Sequence, residues 1–252
     1  MKMLLWLALG LLSLGACVVE SGPCKGVKEI PMAECEALVS FYEATDGSQW
    51  KDNRGWLQTD KPCSWHGLLC TDGHVTRLSL NYNEISTKLP IALSQLKELR
   101  VLSLNFNELY GSIPPELGLL SKMESMVLHN NELSGSIPPE LGDMSSLIKL
   151  DLEGNNLEGN IPPELGSLSN LKWLGLRDNR LSGTIPPELG ELSNLRSLYL
   201  SNNSLNGPIP ELLGDLPNLG VLALYGNEEL GALPESLQDM PESLYEFMFP
   251  PD

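Results

Sequence analysis

Basic side chains are scarce in this 252-residue sequence, which contains 16 lysines and arginines against 33 aspartates and glutamates. Residues 1–16 carry only Lys2 among charged side chains, so the rest of the chain has 15 basic and 33 acidic residues and a formal charge of −18. Proteins that bind nucleic acids neutralise phosphates with clustered lysines and arginines. This balance therefore argues against a nucleic acid as partner, and the acidic surface keeps the chain soluble.

Candidate residues for catalysis are also few. The sequence has three histidines, His66, His74 and His129, and it contains no Ser/His/Asp pattern, phosphate-binding loop or metal-ligand pair at the usual spacing. Asp151 and Glu153 share one face of a predicted strand, and such a pair of carboxylates can hydrolyse a glycoside. We expect both on an open, hydrated surface where nothing raises the pKa of either group. The sequence therefore predicts a non-enzymatic protein with no cofactor and no metal ion.

Long apolar runs are missing after the first residues of the chain. Residues 1–16 read MKMLLWLALGLLSLGA, which is typical of an export signal and too short for a membrane span. The junction LGAC that ends at Cys17 resembles a bacterial lipobox, in which cleavage leaves the cysteine as the lipid-modified first residue. An ordinary secretory signal with a cysteine near its cut is the alternative. We predict an exported protein of the cell envelope or surface, with a lipid on Cys17 as its only contact with a membrane, or otherwise a secreted one.

A period of 24 residues organises what is present. Leu147–Asn170 reads LIKLDLEGNNLEGNIPPELGSLSN, and an incomplete last unit, shifted by one residue, begins at Leu244. The full units begin at Val75, Leu99, Met123, Leu147, Leu171, Leu195 and Leu219. A fixed period in this range indicates a solenoid. Each unit opens with L-x-x-L-x-L, which predicts one short strand, and stacked strands make a parallel sheet whose leucines are buried between neighbouring units.

One asparagine and one proline also recur in every full unit. An asparagine follows the strand, where its amide can pair backbone groups that a tight turn leaves open. The asparagines are Asn83, Asn107, Asn131, Asn155, Asn179, Asn203 and Asn227, and the second half of each unit carries Pro90, Pro114, Pro138, Pro162, Pro186, Pro210 or Pro234. Because proline and nearby glycine exclude a long helix, we expect extended backbone and short 3₁₀ turns on the convex side.

The segment L-x-G-x-I-P, as in LSGSIPPELG at Leu133–Gly142, resembles the plant-type class of the leucine-rich repeat family. The resemblance implies an α/β solenoid, a right-handed superhelix with a parallel concave sheet and seven repeats over residues 75–243. A terminal strand over residues 244–252, with Phe247 and Phe249, is expected to close the core. No membrane span or kinase domain follows, so we do not expect a complete receptor kinase. Such repeats are a binding scaffold with many uses, which makes the family a weak guide to function.

Residues 17–74 are predicted to form a linker and an N-terminal cap. The segment 32–44 places Leu38, Val39 and Tyr42 on one face of a helix, and the sequence TDG that follows ends it. The segment CSWHGLLC at Cys63–Cys70 resembles the C-x-W-x-G-V-x-C element of plant-type leucine-rich repeat caps, with leucine at one apolar position. This resemblance makes three tryptophans part of the cap core, namely Trp50, Trp56 and Trp65.

The sequence has an odd number of cysteines, Cys17, Cys24, Cys35, Cys63 and Cys70, and a lipid on Cys17 accounts for one of them. The other four precede the repeats, and in an oxidising compartment they predict two disulfides, which we pair as 24–35 and 63–70. The first pair is closer together than is common in such caps. A zinc site that adds His66 or His74 is the weaker interpretation, because the C-x10-C and C-x6-C spacings differ from those of the usual ligand pairs.

The predicted concave face varies from unit to unit. One of its positions carries Arg77, Val101, Ser125, Lys149, Trp173 and Ser197, which argues against an ice- or glycan-binding row of identical residues. Aromatic residues flanked by arginine and lysine are typical of protein interfaces. We therefore predict that a protein or peptide ligand contacts Tyr82, Phe106, His129, Lys149, Asp151, Glu153, Trp173, Arg177, Tyr199 and Tyr225. Gly175 is expected to leave a gap between Trp173 and Tyr199 that could become a pocket.

Other interpretations stay open beside this one. They are an inhibitor of cell-wall-degrading enzymes, a glycan- or ice-binding surface protein, and a weak hydrolase that uses Asp151 and Glu153. A row of glutamates on the convex side could attract divalent cations. A better explanation is that these residues are solvent-exposed members of the repeat pattern, whose negative charge keeps the protein soluble. These glutamates are Glu116, Glu140, Glu164 and Glu188. We expect the protein to be a monomer.

Overall fold

The computed structural model describes residues 22–238, which form a solenoid of stacked repeats. The predicted export signal, the predicted lipid attachment at Cys17 and the predicted terminal strand at 244–252 lie outside the described residues. Within residues 22–238 no helix is long and apolar enough to cross a bilayer.

Two sheets run along the solenoid, and all their strands are short. In chain order the strands are β1 Leu68–Thr71, β2 His74–Ser79, β3 Val101–Ser103, β4 Tyr110–Gly111, β5 Ser125–Val127, β6 Glu132–Gly135, β7 Lys149–Asp151, β8 Asn156–Gly159, β9 Trp173–Gly175, β10 Arg180–Gly183, β11 Ser197–Tyr199, β12 Ser204–Gly207, β13 Val221–Ala223 and β14 Glu229–Leu230. The first sheet has the order β1-β2-β3-β5-β7-β9-β11-β13, and the second β4-β6-β8-β10-β12-β14. Only β1 runs antiparallel to its described neighbour, so each sheet is otherwise parallel.

The first sheet confirms the predicted parallel concave sheet and its register. In the fourth repeat Leu147, Leu150 and Leu152 are all fully buried, because each packs between the equivalent leucines of the neighbouring repeats. The strands pair without a shift from β2 to β13, so that Lys149 lies opposite Trp173. Side chains of one repeat position therefore form straight columns across the concave face.

The convex side carries the expected 3₁₀ turns. In the repeats they span Ile91–Gln95, Pro115–Leu119, Pro139–Asp143, Pro163–Ser167, Pro187–Glu191 and Glu211–Leu213. Neighbouring turns pack very closely, since a Cβ atom added to Gly166 would lie 2.6 Å from the carbonyl oxygen of Glu188. Glycine is required there because any side chain would collide with the backbone of the next repeat. A four-residue helix, α2, follows at Glu235–Gln238.

The second sheet is a structural element that the sequence analysis did not anticipate beyond extended backbone. Its strands β4, β6, β8, β10 and β12 each end at a glycine whose φ lies between 74° and 79°. That left-handed conformation is costly for residues with a Cβ atom. The glycine of the L-x-G-x-I-P segment therefore ends each strand and turns the chain towards the convex side.

The recurring asparagines form a ladder, as predicted, in which all but the half-buried Asn179 are buried. The Nδ2 group of Asn155 donates to the carbonyl oxygens of Leu128 and Leu152 at 3.1 and 3.0 Å, and its Oδ1 atom accepts from the N–H of Leu133 at 3.0 Å. This amide thus joins two repeats and pairs the N–H of Leu133, which would otherwise be buried without a partner. A second row of asparagines, which was not predicted, runs along the edge of the solenoid. The side chains of Asn170, Asn194 and Asn218 each donate to a backbone carbonyl oxygen of the preceding repeat.

The N-terminal cap closes one end of the core. Its helix α1 spans Met32–Ala44 and ends at Thr45, whose Oγ1 donates to the carbonyl oxygen of Phe41 at 2.7 Å. The predicted helix is confirmed, and so is its inner face: Leu38 is fully buried, and the half-buried Val39 and Tyr42 pack against the core. Phe41, which was not predicted, is also fully buried, and both Phe41 and Tyr42 contact Trp50 and Trp56. Trp50, Trp56 and Trp65 form the predicted cap core.

Two disulfides and one buried carboxylate fasten the cap. The bonds Cys24–Cys35 and Cys63–Cys70 are both present, as paired from the sequence. The carboxylate of Glu34 accepts from the N–H of Val75 at 2.8 Å and contacts Nδ1 of His74 at 2.6 Å. Glu34 therefore ties helix α1 to the first repeat. The described residues contain no cluster of three or more histidine, cysteine, aspartate or glutamate side chains that could hold a metal ion.

Candidate binding face

The ten predicted ligand residues lie in two groups along the concave face and its rim. Tyr82 and Phe106, called the aromatic pair below, are exposed in the first two repeats. The central cluster lies further along and consists of Lys149, Asp151, Glu153, Trp173, Arg177 and Tyr199. His129 contacts both groups, and Tyr225 is half-buried in the last described repeat. That all ten contact one ligand stays a prediction.

Asp151 is the buried centre of the cluster. Its side chain is only 4% exposed, and its Oδ2 atom lies 3.1 Å from both Nδ1 of His129 and Nζ of Lys149. The expectation of an open, hydrated carboxylate is therefore wrong for Asp151, because side chains from the two neighbouring columns fold over it. The pairing offsets the cost of burying this charge and holds His129 and Lys149 in fixed positions.

Aromatic rings continue the cluster from this charged centre. The Lys149 ammonium lies 4.6 Å from the centre of the Trp173 ring, a cation–π contact. Trp173 and Tyr199 meet with ring centroids 4.7 Å apart, which confirms the proximity expected from the register. Burial raises the pKa of the Tyr199 hydroxyl above its ordinary value, so this group is a neutral hydrogen-bonding group at physiological pH.

Glu153 fills the gap that was expected beside Gly175. A Cβ atom at Gly175 would lie 2.6 Å from Oε1 of Glu153 and 3.1 Å from Nε1 of Trp173. The prediction of an open gap is therefore wrong, because the longer side chain of the preceding repeat occupies it. Burial, together with the nearby charge of Asp151, raises the pKa of Glu153 to about 7. The expectation that nothing raises a carboxyl pKa here is wrong as well.

Three polar atoms in this region are buried without a hydrogen-bond partner among the described residues. They are Nε2 of His129, Nε1 of Trp173 and Oγ of Ser201. Buried polar groups are normally paired, so these three atoms are exceptions to a general rule. Ser201 is fully buried and was missed in the sequence analysis, although its place in the same column as Glu153 and Arg177 was a usable signal.

The rim beside the cluster carries a charged pair that was also not predicted. Asp178 accepts from Nε of Arg177 at 2.9 Å and from Nδ2 of Asn202 at 2.5 Å. Both Asp178 and Asn202 have a left-handed φ of 54°. Residues with this conformation recur directly before the ladder asparagines, which is the sequence signal that could have placed them on the rim.

Together these groups form a mixed surface that is suited to recognition. The cluster combines two cations, two carboxyl groups and two aromatic rings, and most of them are half-buried on a rigid sheet. Such a surface can donate to and accept from the backbone of an extended chain while the rings contact its side chains.

Family comparisons agree with this architecture. The Leucine Rich Repeat profile matches residues 74–96, 98–120, 122–144 and 146–168, and a second profile described as Leucine rich repeat matches 169–228. Among curated proteins, Pollen receptor-like kinase 1 of Arabidopsis thaliana is 36% identical over 72 residues, which are 28% of this chain and 11% of that protein. The match thus spans about a tenth of the length of this relative.

Solved structures resemble a larger share of the chain. A plant ice-binding protein superposes with a TM-score of 0.77 at 28% identity and covers 83% of this chain and 68% of its own. Pollen Receptor Kinase 3 gives 0.70 at 33% identity, over 79% and 97% of the two chains. The Arabidopsis receptor kinase HAESA, solved in complex with the peptide hormone IDA and the co-receptor SERK1, gives 0.70 at 32% identity over 81% of this chain and 35% of that chain.

Proposed function

Because the chain belongs to the leucine-rich repeat family, in its plant-type class, we propose that it is a non-enzymatic binding module that holds an extended protein or peptide segment on its concave face. The observation that carries this proposal is the central cluster, in which half-buried Trp173 and Tyr199 adjoin the paired charges of Lys149 and Asp151. Tryptophan, tyrosine and charged groups fixed by their neighbours are typical of the residues that dominate binding energy.

The size of the face suits a short extended segment. The repeats from His129 to Tyr225 are five successive units, and adjacent strands of a sheet lie about 4.8 Å apart. Four such intervals span about 19 Å, which an extended chain covers with about six residues. The structure of HAESA with a peptide hormone supports a peptide-sized ligand, although fold similarity alone does not transfer the partner.

The proposal is tested by capturing a partner and measuring its affinity for matched variants. The fragment 18–252 serves as bait, and binding of the captured partner is compared for Trp173→Ala, Tyr199→Ala and the convex control Glu164→Ala. We expect Trp173→Ala to weaken binding by about 1–2 kcal/mol and the control to have no effect. Equal affinities for all three variants would show that the binding site does not lie on the concave face. A secreted glycosidase as the captured partner would favour the alternative of an enzyme inhibitor.

Two alternatives have an observation of their own. The raised pKa of Glu153 beside Asp151 is a feature of glycoside hydrolysis, so a weak hydrolase would turn over aryl glycosides and lose that activity in Asp151→Asn. The similarity to a plant ice-binding protein makes ice a candidate ligand, which thermal hysteresis measurements test. The variable concave columns favour neither alternative, because a regular lattice or a sugar chain suits repeated contacts.

The location that fits this function is outside the cytoplasm. Two disulfides in the cap support export, since such bonds persist in oxidising compartments. We further propose that a lipid on Cys17 anchors the protein to a cell envelope or surface, and two or more acyl chains would hold it firmly. Mass spectrometry of the mature N-terminus tests this step. An unmodified Cys17, or cleavage elsewhere, would leave a secreted protein.

A further inference from the structure

The aromatic pair is an exposed stack of rings on the rim of the first two repeats. The ring centroids of Tyr82 and Phe106 lie 4.3 Å apart, and the ring planes differ by only 9°. The two side chains are 59% and 40% exposed. His129 meets Phe106 edge-on at 5.1 Å and so extends the stack towards the central cluster. The pair therefore offers flat aromatic surface to solvent beside the proposed binding face.

The backbone under the aromatic pair is strained. Tyr82 and Phe106 have φ values of 55° and 54°, in the left-handed region that bulky residues rarely adopt. The five other repeats place small or turn-forming residues at this position, namely Asn130, Gly154, Asp178, Asn202 and Gly226. A strained conformation that is kept for an exposed ring suggests that the ring serves contact with another molecule and not the stability of the fold.

Acidic residues follow the aromatic pair in the chain, and one basic residue, the exposed Lys51, donates its backbone N–H to the carbonyl oxygen of Asn83 at 3.2 Å. Glu84, Glu108 and Glu132 occupy one repeat position, two residues after that of the aromatic pair, and all three are exposed. The whole chain carries a formal charge of −17, which attracts cationic partners to such a rim. A cation that meets both aromatic faces and carboxylates gains from cation–π contacts and from charge-assisted hydrogen bonds.

We propose that the aromatic pair and the neighbouring Glu84 and Glu108 bind arginine side chains of a basic protein or peptide partner. A guanidinium group is planar, stacks on an aromatic ring and donates to carboxylates at the same time, which a lysine ammonium cannot match. This inference rests on the proposed function, because it assigns a partner chemistry to one end of the same binding face.

The first test uses a blocked tetra-arginine peptide as probe and isothermal titration calorimetry as readout. The double variant Tyr82→Asn with Phe106→Asn installs the residue that the structure carries at 130 and 202. Tyr110→Ser is the matched control, because it removes another exposed tyrosine and installs the residue found at 134 and 182. We expect the double variant to lose about tenfold in affinity and the control less than about twofold.

Charge and side-chain chemistry are tested with the same probe. Glu84→Gln with Glu108→Gln should weaken tetra-arginine binding, whereas Glu116→Gln with Glu140→Gln on the convex side makes the same change in net charge and should have little effect. A tetra-lysine peptide should bind several-fold more weakly than tetra-arginine. Equal affinities for the two peptides, or equal effects of the two glutamine pairs, would mean attraction by net charge alone and would overturn the proposal.

Thermal unfolding adds a readout that separates strain from misfolding. The asparagine double variant should melt a few degrees higher than the natural protein, because asparagine tolerates the left-handed backbone. A lower melting temperature would show that the rings stabilise the fold. If the double variant loses binding of a neutral hexasaccharide but keeps tetra-arginine, the site is a carbohydrate site. A captured partner that loses affinity for Trp173→Ala but not for the double variant would contradict this inference and leave the proposed function intact.

Discussion

The asparagine ladder and the concave columns belong to the same 24-residue unit, but they differ in how strictly they repeat. The ladder position is asparagine in all seven units, whereas the column through Lys149 and Trp173 changes from unit to unit. Ladder residues pair backbone groups inside the core, and column residues face outward. The comparison teaches that the ladder asparagines repeat because the fold needs them at every turn, whereas the variable columns are free to serve the binding that we propose.

The ladder should be the more sensitive of the two regions to substitution. Asn155→Ala would leave the N–H of Leu133 buried without a partner. It would also remove one of the two amide bonds to each carbonyl oxygen of Leu128 and Leu152, which Asn131 and Asn179 still contact. We expect a loss of about 3 kcal/mol in the free energy of unfolding, measured by urea denaturation. The control Glu164→Ala, on the exposed convex side, should change it by less than about 0.5 kcal/mol. Similar losses for both variants would break the distinction between ladder and surface.

Removing a cap disulfide should cause the next largest loss of stability, and the loss should be confined to the cap and its neighbouring repeat. Replacing Cys63 and Cys70 by serine removes a short cross-link, which is worth about 2–3 kcal/mol in the chain-entropy model. Because each repeat is stabilised by its neighbours, hydrogen exchange should increase in the cap and the first repeat and stay unchanged around β9. Free thiols at these cysteines in the natural protein, found by non-reducing peptide mapping, would contradict the assignment.

Glu153 should show an effect on stability that depends on pH and vanishes at low pH. Burial raises its folded-state pKa to about 7, above the ordinary value of 4.5, so the folded state holds this proton more tightly than the unfolded state. Its contribution to stability is therefore full below about pH 4.5 and is lost as the pH rises through 7. Glu153→Gln should melt higher than the natural protein at pH 8, with the difference vanishing towards pH 5.

The matched control for this pH dependence is Glu164→Gln, which changes an exposed carboxyl group on the convex side. Its melting temperature should follow that of the natural protein at every pH. If the melting temperature of Glu153→Gln also matches that of the natural protein at every pH, the Glu153 carboxyl is hydrated and the concave face is more open than the structure shows.

The sequence predicted the parts of the fold that are repeated. The register, the ladder asparagines and the convex turns follow from a strict period, because every unit repeats the same local chemistry. The second sheet was missed because its strands are too short to show an alternating pattern. The row of asparagines at the edge of the solenoid, from Asn170 to Asn218, was also missed. The buried Phe41 of helix α1 was missed because it packs against tryptophans that are distant in the chain, which helical spacing does not reveal.

The candidate site was predictable in position but not in detail. Alternation placed Asp151 and Glu153 on the concave side, yet it could not show that Lys149 and His129 cover Asp151. The gap at Gly175 was filled by a side chain from another repeat, which is a contact between columns and not within one. The strain at the aromatic pair had a visible signal, because the other repeats carry asparagine, aspartate or glycine there.

The most direct test of the central claim is hydroxyl-radical footprinting of the protein with and without its captured partner. Oxidation of aromatic side chains reports their exposure residue by residue and needs no substitution. We predict protection of Trp173, Tyr199 and Tyr225 on the concave face, with no change at Tyr110 on the second sheet. Protection of Tyr110 with unchanged oxidation of Trp173 and Tyr199 would place the partner elsewhere and contradict the account.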